Sequence, residues 1–270
     1  MSLGFGHIAR IGHLYPSGGL CDYEIQLMAP DGVQFITTRL PFATTDIEGD
    51  RLLVKRLESY VGLLADAQVD IIALNCTAAT MLVGPERLKK RIYDATGIEA
   101  VTTIEAVMAA LATTGVRHPA LLTPYPEDVV EAEVCFLRSE GIEVVTHLGM
   151  PRLTPVEQAM IEPGQWRDLA ATLDRTKIDG LLVSCAGVRI ADEIESIERQ
   201  LDLPVITSNQ ALLWHLLETL RIPERPRGYG SLLAGLHPET RQARALITLR
   251  TRTTQVQRSE YSTPQAPLRW

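Results

Sequence analysis

The chain is poor in the signatures of a metal or redox centre. Its four cysteines, Cys21, Cys76, Cys135 and Cys185, form no CxxC pair, and its six histidines form no HExxH run. Neither a disulfide framework nor a zinc site is expected from that pattern. The glycines of Gly4-Phe-Gly6 and Arg227-Gly-Tyr-Gly230 make neither a dinucleotide fingerprint nor a P-loop, so no cofactor is expected. No apolar run approaches the ~18 residues that a membrane-spanning helix requires. Met1–Arg10 has no basic stretch followed by an apolar one. No signal peptide is therefore expected, and a reducing, cytoplasmic setting is the default. Basic charge is also in deficit. Against 33 Asp and Glu there are 26 Lys and Arg, a net of −7, which argues against nucleic acid as a partner. The end of the chain differs: from Ser231 onward six Arg and no Lys face only Glu239 and Glu260. Such a segment suits a solvated strap or an oligomer contact, with binding of an acidic partner as the alternative.

What remains is a well-furnished globular chain of 270 residues, 46% hydrophobic, enough for one large domain or two small ones. Short apolar runs at Arg10–Tyr15, Val33–Thr38, Asp70–Leu74, Ala100–Thr103, Ala120–Thr123, Glu143–His147, Gly180–Ser184 and Pro204–Thr207 read as strands. Amphipathic stretches lie between them, among them Gly49–Gln68, Pro85–Thr96, Pro126–Glu140 and Ile190–Leu201. Brief apolar strands alternating with helices indicate an α/β fold with parallel sheet.

An internal repeat sharpens this reading. Asp70-Ile-Ile-Ala-Leu-Asn-Cys76-Thr-Ala matches Asp179-Gly-Leu-Leu-Val-Ser-Cys185-Ala-Gly, with the cysteines 109 residues apart. The prolines of Tyr15-Pro16-Ser17 and Thr123-Pro124-Tyr125 are 108 apart, and Gly32-Val-Gln-Phe-Ile matches Gly141-Ile-Glu-Val-Val at 109. The repeat predicts two similar parallel-sheet α/β halves related by a pseudo-two-fold axis, with the active site in the cleft between them. One half spans residues 1–115, completed by 210–230, and the other 116–209. Residues 231–270 form a C-terminal extension. Ligands of α/β sheets sit at the carboxyl ends of strands, which is where both Cys76 and Cys185 fall.

A lone cysteine after an apolar strand is ordinarily inert core. The repetition argues otherwise here, since both halves keep the thiol at a strand end. Small residues follow each, and the segments after them are expected to open helices whose N–H groups favour a carboxylate and a thiolate. Two opposed thiols suit removal of a proton from a carbon beside a carboxylate on one face and its return on the other. They suit equally the addition of a thiolate to an alkene, followed by rotation. Cys135 reads as helix core and Cys21 as incidental. The Pro16-Ser17-Gly18-Gly19 loop is either a plain turn or a cradle for a carboxylate. Arg39 could pair with a substrate carboxylate or lie exposed. The Tyr125 hydroxyl could stabilise an enolate-like oxygen. Ser208 and Asn209 end a strand and either line the pocket or cap the next helix.

Asn75-Cys-Thr77, Thr123-Pro-Tyr125, Val183-Ser-Cys-Ala-Gly187, Pro204-Val-Ile-Thr-Ser-Asn209 and Arg227-Gly-Tyr-Gly230 resemble the aspartate/glutamate racemase superfamily. Within it they resemble the branch of maleate cis–trans isomerases and arylmalonate decarboxylases, over roughly residues 10–230. The resemblance implies that Cys76 and Cys185 are catalytic. It implies that Thr77, Tyr125 and the backbone amides of Ala78 and Ala186 hold a carboxylate or enediolate oxygen, and that Pro16 and Ser17 belong to the substrate loop. Decarboxylases of the branch keep the second cysteine and have glycine for the first, whereas this chain has both, which favours isomerisation. Maleate isomerases usually carry Pro-Ser-Ser-Asn where this chain has Pro16-Ser-Gly-Gly19. A further group of the branch accompanies ectoine and hydroxyectoine breakdown, in a racemase-like step. The expected function is a cofactor-independent isomerase or racemase of a small carboxylate. The alternatives are an arylmalonate-type decarboxylase, the racemase-like step, or a non-catalytic carboxylate-binding protein. A homo-oligomer is a family-level expectation.

Overall fold

A computed structural model describes residues 6–236 of the chain. The first half runs β1 (Ala9–Pro16), α1 (Asp22–Met28), β2 (Val33–Leu40), α2 (Ile47–Leu53), α3 (Glu58–Asp66), β3 (Ile71–Leu74), α4 (Thr77–Val83), α5 (Pro85–Thr96), β4 (Ala100–Thr102) and α6 (Thr103–Thr114). The second runs β5 (Pro119–Thr123), α7 (Glu127–Ser139), β6 (Thr146–Gly149), α8 (Pro155–Ala159), α9 (Pro163–Ala170), β7 (Gly180–Val183), a 3₁₀ turn (Ala191–Glu193), α10 (Ile194–Leu201), β8 (Val205–Thr207) and α11 (Ser208–Thr219). A short α12 (Gly230–Leu233) follows.

Each half contains a four-stranded sheet, ordered β2-β1-β3-β4 and β6-β5-β7-β8. Every pairing is parallel. The fold is thus α/β with two like halves, as the repeat predicts. Local bonds repeat as well. Asp70 accepts from the Arg10 N–H at 2.7 Å, and its counterpart Asp179 accepts from the N–H groups of Arg117 and His118, both at 2.8 Å. The central strands β3 and β7 are buried at every position. Their helices cover both faces, which is why these runs read as uninterrupted hydrophobic sequence.

The halves are joined through α6 and α11, which pack on each other. Nine of the twelve residues of α11, from Ser208 to Leu217, are buried. A helix apolar on nearly all sides belongs inside a core rather than on its rim. Its start is fixed by a reciprocal cap, in which the Thr207 N–H donates to Gln210 Oε1 at 3.1 Å and the Gln210 N–H donates to Thr207 Oγ1 at 3.3 Å.

The structure departs from the sequence expectations in three places. The amphipathic stretch 49–68 is not one helix but α2 and α3, separated by a turn at 54–57. The turn lets Leu53, Leu57 and Leu64 all point inward while Leu52 and Leu63 stay exposed. The sixth strand lies at Thr146–Gly149 rather than 143–147. It is an edge strand, and the N–H groups of Glu143 and Val145 already bond to Arg117 and Pro119 before its ladder begins. Finally, only Cys76 is followed at once by a helix. After Cys185 the chain turns through residues 186–190 before the 3₁₀ turn, because Glu24 of the other half takes the N–H groups of Ile190 and Ala191. Most of the expected extension, from residue 237 on, lies outside the described residues. No helix among the described residues is long and apolar enough to cross a membrane.

Candidate active site

The two central strands deliver the two thiols by the same device. The Asn75 N–H donates to Leu14 O and the Ser184 N–H to Leu122 O, both at 2.9 Å, which prolongs β3 and β7 by one residue each. The next residues, Cys76 and Cys185, leave the ladder and line one small closed cavity of about 30 Å³. Tyr15, Pro16, Gly19, Phe42, Thr45, Asp50, Thr77, Ala78, Tyr125, Pro155, Gln158, Ala186 and Gly187 complete its wall. Loops from both halves close over it: the Thr45 N–H donates to Leu153 O at 2.9 Å and Gln158 Nε2 to Thr45 Oγ1 at 2.9 Å. A larger open groove of about 460 Å³ lies beside α10 and α12. It contains no thiol, and its Glu198 is occupied by Ser231 and the Val205 N–H, so the chemistry belongs to the smaller cavity.

Each thiol donates to a buried polar side chain of its own half. Cys76 Sγ lies 3.6 Å from Asp50 Oδ1, and Cys185 Sγ lies 3.6 Å from Gln158 Oε1. Asp50 sits on α2 and Gln158 on α8, 108 residues apart, so the repeat extends to these partners. The pseudo-symmetry is broken only in charge, with a carboxyl on one side and an amide on the other. The Gln158 orientation is set by its Nε2, which also faces the Arg152 carbonyl at 3.4 Å.

This asymmetry separates the thiols. Burial, followed by the Asp50 carboxylate, pushes the Cys76 thiol well above its ordinary range. Burial also raises Cys185, to about 12, but the Gly187 N–H, which donates to its sulfur at 3.2 Å, and the Tyr125 hydroxyl pull it back. Cys185 is therefore the easier thiolate. Asp50 is itself raised to about 7, first by burial and then by Asp46 and Asp128, against the lowering effect of the Cys76 hydrogen bond. Its Oδ2 is buried and has no hydrogen-bond partner.

Behind the cavity a polar seam ties the halves together. Asn75 Nδ2 donates to Asn209 Oδ1 at 2.9 Å and faces His13 Nε2 at 3.0 Å. Thr103 donates to Asn75 Oδ1 at 3.0 Å, and Asn209 Nδ2 donates to Ala186 O at 3.1 Å. Because Asn75 presents an amide donor, His13 Nε2 accepts, and its Nδ1–H points at Thr37 Oγ1, 3.0 Å away. Burial, with the charge of Arg39, lowers His13 to about 3, so it stays neutral. Ser208 Oγ accepts the Cys185 N–H at 3.1 Å and lies 2.8 Å from Thr77 Oγ1.

Of the residues singled out from sequence, Cys76, Cys185, Pro16, Thr77, Ala78, Tyr125 and Ala186 share the cavity wall. Ser208 and Asn209 stand behind it and fix its loops. Ser17 is exposed, and its Oγ accepts the Phe42 N–H at 3.0 Å. Arg39 is committed elsewhere, to the carbonyls of Ser17 and Gly19 and to Asp22 at 2.7 Å. It clamps the Pro16–Gly19 loop rather than reaching the cavity. Cys135 is exposed on α7, not in the core, so the packing role read for it does not hold. Sequence reasoning missed Asp50, Gln158 and Tyr15, whose hydroxyl donates to Ala186 O at 3.1 Å. It also passed over Cys21, which is buried and donates to Gly187 O at 3.2 Å. The 108-residue offset would have found the first two. Among the described residues, no group of three or more His, Cys, Asp or Glu is placed to hold a metal ion.

Two parallel α/β halves with a thiol from each at a shared cleft define a class of protein. The chain belongs to the arylmalonate decarboxylase family, whose model matches residues 12–233. It is 28% identical to an arylmalonate decarboxylase of Bordetella bronchiseptica over 80% of this chain and 92% of that one. It is 27% identical to a maleate isomerase of Nocardia farcinica over 84% and 96%. Among solved structures it is similar to a cysteine-to-serine mutant of the Nocardia farcinica maleate cis–trans isomerase with a covalently bound succinylcysteine intermediate. That match has a TM-score of 0.80, 25% identity and coverage of 84% and 98%.

Proposed function

We propose that this protein is a cofactor-independent isomerase of a small carboxylate, using Cys76 and Cys185 as a paired acid and base. The observation that carries the reading is the equivalence of the two thiols. They come from matched strand ends, face one closed cavity, and each donates to a matched polar partner at 3.6 Å.

In the proton-transfer form, the Cys185 thiolate removes a proton from the carbon beside the carboxylate. The C–H electron pair moves into the carboxylate to give an enediolate. The Cys76 thiol then delivers its proton to the opposite face, which leaves Cys76 as thiolate and Cys185 as thiol. The reverse reaction exchanges the roles, as a two-base isomerase requires. Thr77, Tyr125 and the backbone amides of Ala78 and Ala186 would hold the carboxylate and its enediolate, where donors placed for developing charge are most effective. A maleate-isomerase-like route would instead add one thiolate to the alkene. In either case the roof formed by the 41–46 and 150–158 loops opens for the substrate, since the closed cavity holds little more than a water molecule or two.

The experiment is incubation of candidate acids in D₂O, with deuterium at the reacting carbon or cis–trans conversion as readout. Each Cys→Ala change is expected to abolish turnover. The family match supports a second reading, decarboxylation of a disubstituted malonate with Cys185 as proton donor. Release of CO₂ that survives Cys76→Gly but not Cys185→Ala would select it.

A further inference from the structure

The polar atoms of the cavity are unbalanced. Its side-chain donors are mostly committed to protein acceptors: Tyr15 to Ala186 O, the Gln158 amide to Thr45 and Arg152 O, and Thr77 to its exchange with Ser208. The acceptors are not. Asp50 is 1% exposed, and its Oδ2 has no partner. Gln158 Oε1 receives only the long contact from the Cys185 thiol. Among the described residues no Lys, Arg or His lines the cavity, and the charged groups that bear on Asp50, namely Asp46 and Asp128, are also acidic. A buried carboxyl oxygen without a donor is costly, by an amount comparable to a lost hydrogen bond to a charged group. The cavity lacks a positively charged N–H donor, and the protein does not provide one.

We propose that the substrate supplies it: a small zwitterionic amino acid, whose carboxylate is held by backbone amides and whose ammonium lies between Asp50 Oδ2 and Gln158 Oε1, rather than a dicarboxylate. The inference rests on the two-thiol reading for what happens to the bound molecule, but not for which molecule binds. A second carboxylate in this position would have to keep Asp50 protonated as a donor. An ammonium keeps it ionised and satisfies both free acceptors with charge-assisted bonds. Asp50, raised to about 7, changes between these forms near neutrality, so the two substrate classes respond oppositely to pH.

The test uses the full chain with a panel of small neutral amino acids, the corresponding carboxylic acids lacking nitrogen, and maleate. Binding is measured by calorimetry and deuterium incorporation by mass spectrometry in D₂O. The expected result is selective exchange at the α-carbon of an amino acid, with binding that tightens from pH 6 to pH 8. Asp50→Asn should lower kcat/KM for that amino acid by about 100-fold, the scale for removing one partner of a buried charge pair. The pH dependence is read on the wild type and needs no folded variant. Maleate turnover equal to or above that of every amino acid, binding that weakens toward pH 8, an Asp50→Asn variant within threefold of wild type, or a panel in which no amino acid binds would each overturn the proposal. The two readings fail separately. Maleate turnover that is lost in Cys76→Ser keeps the thiol pair and sinks the ammonium site. Amino acid binding that is lost in Asp50→Asn, without any deuterium exchange, keeps the ammonium site and sinks the thiol pair.

Discussion

Glu133 sits on α7 directly behind the Cys185 loop and is 1% exposed. Ser184, the residue before Cys185, donates to its Oε1, while Oε2 has no partner. Burial raises this carboxyl from 4.5 to about 7, against the lowering effect of the Ser184 hydrogen bond. The sign follows from linkage. A carboxyl whose folded value lies above its unfolded one binds its proton more tightly when folded, so its stabilisation is complete below pH 4.5 and is lost as pH rises through 7. Displacement over that interval corresponds to ~3 kcal/mol. Glu133→Gln fixes the neutral form at every pH. At pH 4.5 the variant should be less stable than wild type by about 1–2 kcal/mol, because its amide N–H groups replace an oxygen that has no partner. By pH 8.5 it should have gained ~3 kcal/mol relative to wild type. Asp50 and Glu24 are raised to about 7 as well and titrate in the same window, but they cancel in the difference between the two proteins. The assay is urea unfolding in steps from pH 4.5 to 8.5. A difference that stays constant within about 0.5 kcal/mol across that range would refute the reasoning.

Other substitutions probe the seam and the loop. Asn75→Ala leaves His13, Asn209 and Thr103 without a partner, and unfolding should cost about 3 kcal/mol less than in wild type, as read by urea denaturation. Gly19→Ala would place a Cβ 2.5 Å from Tyr15 Cε1 and 3.0 Å from its hydroxyl oxygen. It should cost about 1–3 kcal/mol of stability and lower turnover by moving Tyr15 off the Ala186 carbonyl, whereas Gly62→Ala, with open space around it, should do neither.

What the sequence revealed followed from repetition. Strand ends that recur at 108 or 109 residues fall into matched sheet positions, so the two sheets and both thiols could be placed before any coordinates. Pattern alone was less informative where tertiary contacts decide. The leucines of residues 49–68 fit one helix by periodicity, yet the chain breaks at 54–57 to bring α2 over the thiols. Asp50 then reads as the polar side of an amphipathic helix, although it is buried against Cys76. Arg39 looked available for a carboxylate because sequence does not show that Asp22 and two loop carbonyls already hold it. His13 and Asn75 lie on strand positions that spacing marks as interior, but only the fold shows that they bond to each other and, through Asn209, to the second half.

The equivalence of Cys76 and Cys185 as acid and base is tested most directly by deuterium exchange in single variants. In D₂O the wild type should isomerise its substrate with solvent deuterium at the reacting carbon, and Cys76→Ser and Cys185→Ser should each lose turnover by several orders of magnitude. A Cys76→Ser, Cys185→Ser double variant that turns over at the wild-type rate would contradict the account.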